Sequence, residues 1–184
     1  MSIPKHAKKV FKGEIFDVYQ WPQKEFDGNF ATYEHLKRAD TVIVIPITHD
    51  KKIVLIEEEQ PNKPLFLTAV AGKIELSENP EQAAEREMLE EIGYKAKNLN
   101  LWYSFNPVSK IDWTVYVYIA KDAKKISEPS LEPGERILPI IFDFEGFLEA
   151  VLKEKFRDLS LKVKVLEAKL SQEKMMELKK KLLS

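Results

Sequence analysis

Three glutamates crowd into the segment AEREMLEEIGY (84–94) of this chain. At 100° per residue of an α-helix, Glu87, Glu90 and Glu91 fall on one face, within an arc of about 100°. They fit a solvated face, but like charges four residues apart cost about 0.2–0.5 kcal/mol on an exposed helix. They also fit a site for a hard divalent cation, which takes oxygen ligands and bridges carboxylates to phosphate. The helix alone leaves both interpretations open.

Capping residues predict where this helix begins and ends. Asn79 is a good N-cap, Pro80 suits the first helical position, and Gln82 stands where a capping box has its second member. Gly93 stands where a glycine commonly ends a helix. The other face of the helix is expected to pack on the core through Ala84, Met88, Leu89 and Ile92.

The spacing around the helix is more specific than the helix itself. Residues 72–94 fit the pattern G-x5-E-x7-R-E-U-x-E-E-x-G-U, in which U is apolar, with Gly72, Glu78, Arg86, Glu87, Glu90, Glu91 and Gly93 at the fixed positions. A chance match in a chain of this length is expected on the order of once in a million. The pattern resembles the signature of the Nudix hydrolase superfamily. Met88 and Tyr94 stand where that family usually has Ile, Leu or Val, and both are apolar enough to pack.

The resemblance implies a fold, a reaction and a set of site residues. The fold is α+β, a mixed sheet between helices, and the reaction is attack of water on a nucleoside diphosphate linked to a group X. Mg²⁺, with Mn²⁺ as a substitute, is the implied cofactor because it suits carboxylate and phosphate oxygens. The implied ligands are Glu87 and Glu91, with Glu90 and the backbone carbonyl of Ala71 as further contacts. Arg86 resembles the catalytic-site arginine that pairs with Glu78 and holds the loop and helix in register.

Segments outside the signature resemble the ADP-ribose pyrophosphatase-like branch of the family. They are EHLKRADTVIVIPI (34–47), LTAVAGKIE (67–75), SFNP (104–107) and the acidic loop SLEPGERI (130–137). This branch hydrolyses ADP-ribose to AMP and ribose 5-phosphate. By this resemblance, Glu135 or Glu132 is the base that takes the proton from the attacking water, and the spacing does not choose between them.

Four positions are candidates for contacts with the substrate. Arg38 lies beside a core strand, Pro107 ends the SFNP loop, and Trp21 offers an aromatic face for a base. Gln60 stands where ADP-ribose enzymes commonly place an arginine. That departure keeps another nucleotide sugar such as GDP-mannose open as the substrate, and also a catalytically silent Nudix module that only binds or regulates.

The first 40 residues are rich in aromatics and are expected to form a separate β subdomain. We expect residues 1–40 to help form a homodimer and bind the base, with residues 41–184 as the hydrolase domain and its C-terminal helices. The chain's three histidines, including His35, are expected at the surface.

Composition and charge limit the partners. The net charge of −1, from 29 basic and 30 acidic residues, gives no long-range attraction to nucleic acid or to a membrane. The chain has no cysteine, no apolar signal segment at MSIPKHAKKVF and no run of about 18 apolar residues. We therefore expect a cytoplasmic enzyme with a small-molecule substrate.

Overall fold

A computed structural model describes residues 3–131 and 133–184 of the chain. Twelve strands and four helices occur in these residues. The strands are β1 (Lys8–Lys12), β2 (Asp17–Lys24), β3 (Phe30–Lys37), β4 (Thr41–Thr48), β5 (Ile53–Glu59), β6 (Phe66–Thr68), β7 (Val70–Lys73), β8 (Tyr94–Lys95), β9 (Asn98–Phe105), β10 (Ile111–Asp112), β11 (Val115–Lys125) and β12 (Arg136–Phe142). The helices are α1 (Pro80–Ile92), α2 (Phe144–Leu152), α3 (Leu159–Ala168) and α4 (Gln172–Leu183).

The strands form two sheets. The smaller has the order β1-β2-β3-β10, so its last strand comes from beyond the first 40 residues. The larger is mixed: β4 runs parallel to β11 and antiparallel to β7, and β5 runs antiparallel to β6 and β12. None of the helices in the described part of the chain has the length and apolar content needed to span a bilayer.

Helices cover both faces of the larger sheet. Helix α1 packs on one face, where Val42, Val44, Val54 and Ile56 meet Ala84 and Met88. The C-terminal helices pack on the other face through Phe147, Phe156, Leu161 and Leu178. Alternate residues of β4 and β5 therefore point into two apolar cores, as the nearly continuous apolar runs TVIVIPI and IVLIE require. The predicted α+β fold with a sheet between helices is confirmed.

The segment 65–72 differs from its sequence prediction. Its apolar run LFLTAVAG, ended by Gly72, predicts one strand, but the chain forms β6 and β7 with Ala69 between them. The hairpin of β4 and β5 pairs only at Ile47 and Ile53, and beyond that point each strand takes a partner of its own. One segment supplies both partners, so it must cross from β5 to β4, and Ala69 lies at the crossing.

Two expectations about individual side chains are wrong. His35 is not at the surface: it is 1% exposed on β3, next to Trp21. Leu89 was expected in the core and is 40% exposed. The buried face of α1 is instead turned toward Ala83 and Glu91, which places a glutamate where the amphipathic pattern predicts an outer position.

Candidate active site

Helix α1 begins and ends where its capping residues predict. The Asn79 side chain accepts a hydrogen bond from the backbone N–H of Gln82, and the Gln82 side chain accepts one from the backbone N–H of Asn79, both at 2.9 Å. Gly93 ends the helix in the left-handed conformation, with φ of 71°. A side chain there would be strained, and it would also meet the carbonyl of Ser127. The register of the helix, and with it the direction of each glutamate, is held at both ends.

The carboxylate of Glu87 lies directly against the backbone of β7. A Cβ placed on Gly72 would overlap all three atoms of that carboxylate. Gly72 pairs with Val42 of β4, so its backbone belongs to the sheet and has little freedom to withdraw. A side chain at this position of the signature would therefore force the Glu87 carboxylate to move from its place.

Arg86 joins the loop before the helix to two of the glutamates. Its guanidinium contacts both carboxylate oxygens of Glu78, at 2.6 and 3.1 Å, which is the ion pair expected from the sequence. The same group donates to Glu87 at 2.8 Å, to Glu90 at 2.9 Å and to the carbonyl of Lys73 at 2.9 Å. These contacts raise the pKa of Arg86, with the Glu78 hydrogen bond as the largest cause. One cation thus neutralises a set of like charges that would otherwise repel.

Glu91 is the most deeply buried of the three helix glutamates. It is 8% exposed, and its carboxylate accepts one hydrogen bond, from the backbone N–H of Ala71 at 3.3 Å. Burial raises the pKa of Glu91 well above its usual value, and repulsion from Glu87 adds to the effect. A buried carboxylate with so little compensation destabilises the fold while no cation is bound. A bound cation would offset that cost.

Sequence analysis missed a fourth carboxylate in this region. Glu58 lies near the end of β5, is 8% exposed, and faces the side of the sheet that carries α1. Burial raises its pKa, and Glu58 and Glu91 each lie in the electrostatic field of Glu135. The alternation of β5 could have revealed it, because Val54 and Ile56 point into the α1 core and Glu58 is the next residue on that face.

The acidic loop is tied to the end of α1 by backbone hydrogen bonds. The N–H groups of Ile126 and Ser127 both donate to the carbonyl of Gly93, at 2.8 and 3.2 Å. The N–H of Ser130 donates to the carbonyl of Glu90 at 2.8 Å. This places the loop beside the glutamates. Glu132, one of the two candidate bases, lies outside the described residues.

The glutamates open into a cavity of about 340 Å³, called here the carboxylate cavity. Its walls include Gly72, Arg86, Glu87, Glu90, Glu91 and Glu135. Within residues 3–131 and 133–184, no three acidic or histidine side chains are already arranged as joint metal ligands, and Glu87 and Glu90 face Arg86 instead. The carboxylate oxygens of this cavity, including those of the poorly compensated Glu91, are the type of ligand that a hard divalent cation binds.

A second cavity, of about 500 Å³, adjoins the first and shares Ala71, Gly72 and Lys73 with it. We call it the aromatic cavity, and Arg38, Phe105, Pro107, Trp113 and Arg157 line it. The guanidinium of Arg38 lies 4.4 Å from the centre of the Trp113 ring, and its buried Nε has no hydrogen-bond partner among the described residues. Two of the sequence candidates, Arg38 and Pro107, therefore meet beside the glutamates.

A third cavity, of about 600 Å³, lies on the other side and shares Glu135 with the carboxylate cavity. We call it the amide cavity, and Gln60, Asn62, Lys63, Glu135 and Arg136 are among its walls. The side-chain amide of Gln60 donates to Glu58, and its oxygen accepts from Lys63. Gln60 is thus near the carboxylates but separated from Arg38.

Trp21 lies apart from these cavities. It is 5% exposed in the smaller sheet, with its ring centre 4.9 Å from that of Tyr33, and its indole N–H donates to Gln23 at 3.1 Å. Among the described residues, the walls of the three cavities do not include it. Its contacts are those of a packed core residue.

Comparisons with known proteins bear on the family and the fold of the chain. The NUDIX domain family model matches residues 37–160. An ADP-ribose pyrophosphatase of Bacillus subtilis (strain 168) is 33% identical over 125 residues, 66% of the length of each chain, so the match spans about two thirds of that relative. A methanol dehydrogenase activator of Bacillus methanolicus is 28% identical over 157 residues, 83% of this chain and 84% of that protein. A crystal structure of an ADP compounds hydrolase matches with a TM-score of 0.74 at 20% identity, over 96% of this chain and 92% of the other.

Proposed function

The chain belongs to the Nudix family of hydrolases, and from that premise we propose that it hydrolyses ADP-ribose to AMP and ribose 5-phosphate with Mg²⁺. The observation that carries the proposal is the carboxylate cavity, where glutamates on α1 line a cavity that adjoins the aromatic cavity. The relative from Bacillus subtilis supports ADP-ribose as the first substrate to test.

The carboxylates would hold the cation over the diphosphate. Glu87 and Glu91 are proposed as the principal ligands, with Glu90 and the carbonyl of Ala71 as further contacts. A bound Mg²⁺ supplies charge neutralisation for the diphosphate and polarises its P–O bonds. Mn²⁺ would serve as a substitute because it accepts the same oxygen ligands.

A glutamate of the acidic loop is proposed as the base. Glu135 or Glu132 would take one proton from the attacking water while the new P–O bond forms and a phosphate oxygen of the leaving product departs. Glu135 is a wall of the carboxylate cavity, which supports its candidacy. Arg86 would act by holding Glu87 and Glu90 in place, as its hydrogen bonds indicate.

The aromatic cavity is proposed to bind the nucleoside. Phe105, Pro107 and Trp113 offer apolar faces for a base, and such faces stack on aromatic rings. The unpartnered Nε of Arg38 would donate to a ribose or phosphate oxygen. We do not assign the base to Trp21, because that ring is buried against Tyr33 and His35.

The first 40 residues are proposed as a dimerisation region, with residues 41–184 as the hydrolase domain. The smaller sheet and its turns expose Phe11, Phe26 and Phe30, which are 60%, 113% and 69% exposed. Phe11 lies opposite Val18 and Phe30 opposite Lys24, so exposed aromatics occur toward both ends of this sheet. Large exposed apolar side chains favour contact with a second copy. Light scattering after size exclusion should give twice the chain mass, and serine at Phe11 and Phe30 together should give the monomer mass.

A panel of diphosphates tests the reaction. Purified protein with Mg²⁺ should release AMP and ribose 5-phosphate from ADP-ribose, and EDTA should abolish the release. GDP-mannose in the same panel tests the alternative sugar, which the glutamine at position 60 keeps open. If no member of the panel is cleaved and Glu91→Gln changes nothing, the chain is a silent binding module.

A further inference from the structure

Among the described residues, the amide cavity and the aromatic cavity share no lining residue, and the carboxylate cavity adjoins both. The aromatic and carboxylate cavities share Gly72, whereas the amide and carboxylate cavities share Glu135. The three cavities therefore follow one another in a row, with the glutamates in the middle. A molecule whose diphosphate lies on the glutamates and whose nucleoside lies in the aromatic cavity has the amide cavity as the adjoining space for its remaining end.

The lining of the amide cavity offers both donors and acceptors. Lys63 and Arg136 provide cations, Glu59 and Glu135 provide carboxylates, and Gln60 and Asn62 provide primary amides. Hydroxyl groups both donate and accept hydrogen bonds, so a lining of both kinds matches a polyhydroxylated group. The formal charges of the lining balance, so the cavity has no marked preference for an anion. None of the residues that line it among the described part of the chain is aromatic, so it has no ring on which a second base could stack.

Hydrogen bonds hold the polar groups of this cavity in place. The side-chain oxygen of Gln60 accepts a hydrogen bond from the Lys63 ammonium, and its side-chain N–H donates to the buried Glu58. The backbone N–H of Lys63 also donates to the carbonyl of Gln60, at 3.1 Å, which closes a turn. The Lys63 ammonium has three N–H donors, so besides its hydrogen bond to Gln60 it can donate to an oxygen of a ligand.

We propose that the amide cavity is the binding site for X and that it selects a neutral sugar, with Lys63 as a specificity-determining residue. The proposal rests on the proposed function, since it takes the diphosphate to lie on the glutamates. Gln60 and Asn62 bind further hydroxyls of the sugar. A dinucleotide, in which X is a second nucleoside, finds no stacking surface at this end and is a poor substrate.

Three ADP derivatives that differ only in X test the inference. They are ADP-ribose, the β-methyl ester of ADP, which leaves the amide cavity empty, and diadenosine diphosphate, which presents a nucleoside. The wild-type protein should have the highest kcat/KM with ADP-ribose. Lys63→Met, which keeps the apolar stem, should reduce the preference for ADP-ribose over the methyl ester by about tenfold, the value of one hydrogen bond from a charged donor. Lys97→Met, at an exposed lysine outside the three cavities, should leave that preference unchanged.

The outcomes separate this inference from the proposed function. If the methyl ester and ADP-ribose are both cleaved but Lys63→Met alters them equally or not at all, the assignment of the cavity is wrong and the hydrolase function stands. Equal cleavage of diadenosine diphosphate and ADP-ribose also overturns it. If nothing is cleaved, the proposed function fails, and calorimetric binding of the three compounds with Ca²⁺ in place of Mg²⁺ still tests the cavity. Equal affinities for ADP-ribose and the methyl ester would then reject it.

Discussion

The carboxylate of Glu87 occupies the space that a side chain on Gly72 would fill. We therefore predict that Gly72→Ala displaces Glu87, reduces kcat strongly and destabilises the fold by about 1–3 kcal/mol, the usual cost of overpacking. Urea unfolding and steady-state kinetics measure the two effects. The double variant with Glu87→Ala makes room for the new methyl group, so it should recover most of the lost stability and none of the activity. Additive losses of stability would show that the two residues do not compete for space.

Glu91→Gln separates the catalytic and structural effects of the buried carboxylate. The variant should lose at least about 100-fold in kcat, because a charged ligand of the proposed cation site is lost. Without metal, it should be as stable as the wild type or more stable by about 1 kcal/mol, since an uncompensated buried charge is removed. Thermal unfolding in EDTA and in Mg²⁺ tests this, and Mg²⁺ should raise the Tm of the wild type only. Glu85→Gln, at an exposed position of α1, is the control and should behave like the wild type.

In the metal-free protein, the contribution of Glu91, Glu87 and Glu58 to stability should increase as the pH falls from about 7 toward the glutamate pKa of the unfolded chain, about 4.3. Burial raises the pKa of Glu91, Glu87 and Glu58, so the folded state binds protons more tightly than the unfolded chain. Their contribution is therefore full below the unfolded pKa and is lost as the pH rises through the folded pKa. Urea midpoints in EDTA across this range provide the measurement. The wild type should gain stability relative to Glu91→Gln as the pH falls, and a constant difference between the two midpoints contradicts the prediction.

Arg86→Gln should leave Glu87 and Glu90 without their counter-charge. We expect a loss of about 2 kcal/mol in the free energy of unfolding without metal, because the guanidinium is largely buried and makes five hydrogen bonds. Mg²⁺ should restore part of the loss, since it supplies positive charge to the same carboxylates. Lys164→Gln removes an exposed ion pair to Glu167 and should change stability by less than about 0.5 kcal/mol. Equal effects in the two variants would rule out a special role for Arg86.

Two separate variants, Glu135→Gln and Glu132→Gln, identify the base. Loss of a general base reduces the rate by about 10²–10⁴, and we expect that loss at one of the two positions with the affinity for substrate largely retained. Single-turnover rates as a function of pH provide the measurement. The variant that lacks the base should also lose the rise in rate on the acidic side of the profile. Similar small losses at both positions would place the base elsewhere.

The central helix was predictable from sequence because its determinants are local. Asn79, Gln82 and Gly93 fix its ends through contacts within a few residues, and the fixed spacing of the signature then places the glutamates. The ion pair of Arg86 with Glu78 followed from the same pattern.

The rest of the site depends on contacts that are distant in the chain. The burial of Glu58 depends on β12 and α1, which pack on β5 from far along the sequence. The breakdown of 65–72 into two strands depends on how β4 and β5 separate. The packing of Trp21 and His35 depends on the smaller sheet as a whole. The sequence pattern within each segment does not specify these contacts between distant segments.

Gly93 contacts both ends of one stretch of the chain, residues 94–125. The N–H groups of Ile126 and Ser127 donate to its carbonyl, so residues 94–125 begin and end beside the same residue. Between these points the chain forms β9 and β11 of the larger sheet. This stretch includes Phe105, Pro107 and Trp113 of the aromatic cavity, whereas the glutamates of α1 precede it in the chain. Phe105 ends β9, and Pro107 and Trp113 lie in the connection from β9 to β11. This connection, proposed to recognise the nucleoside, can change over evolutionary time while the strands, α1 and the hydrolytic groups stay where they are. A protein built in this way can acquire a new substrate without rebuilding its chemistry.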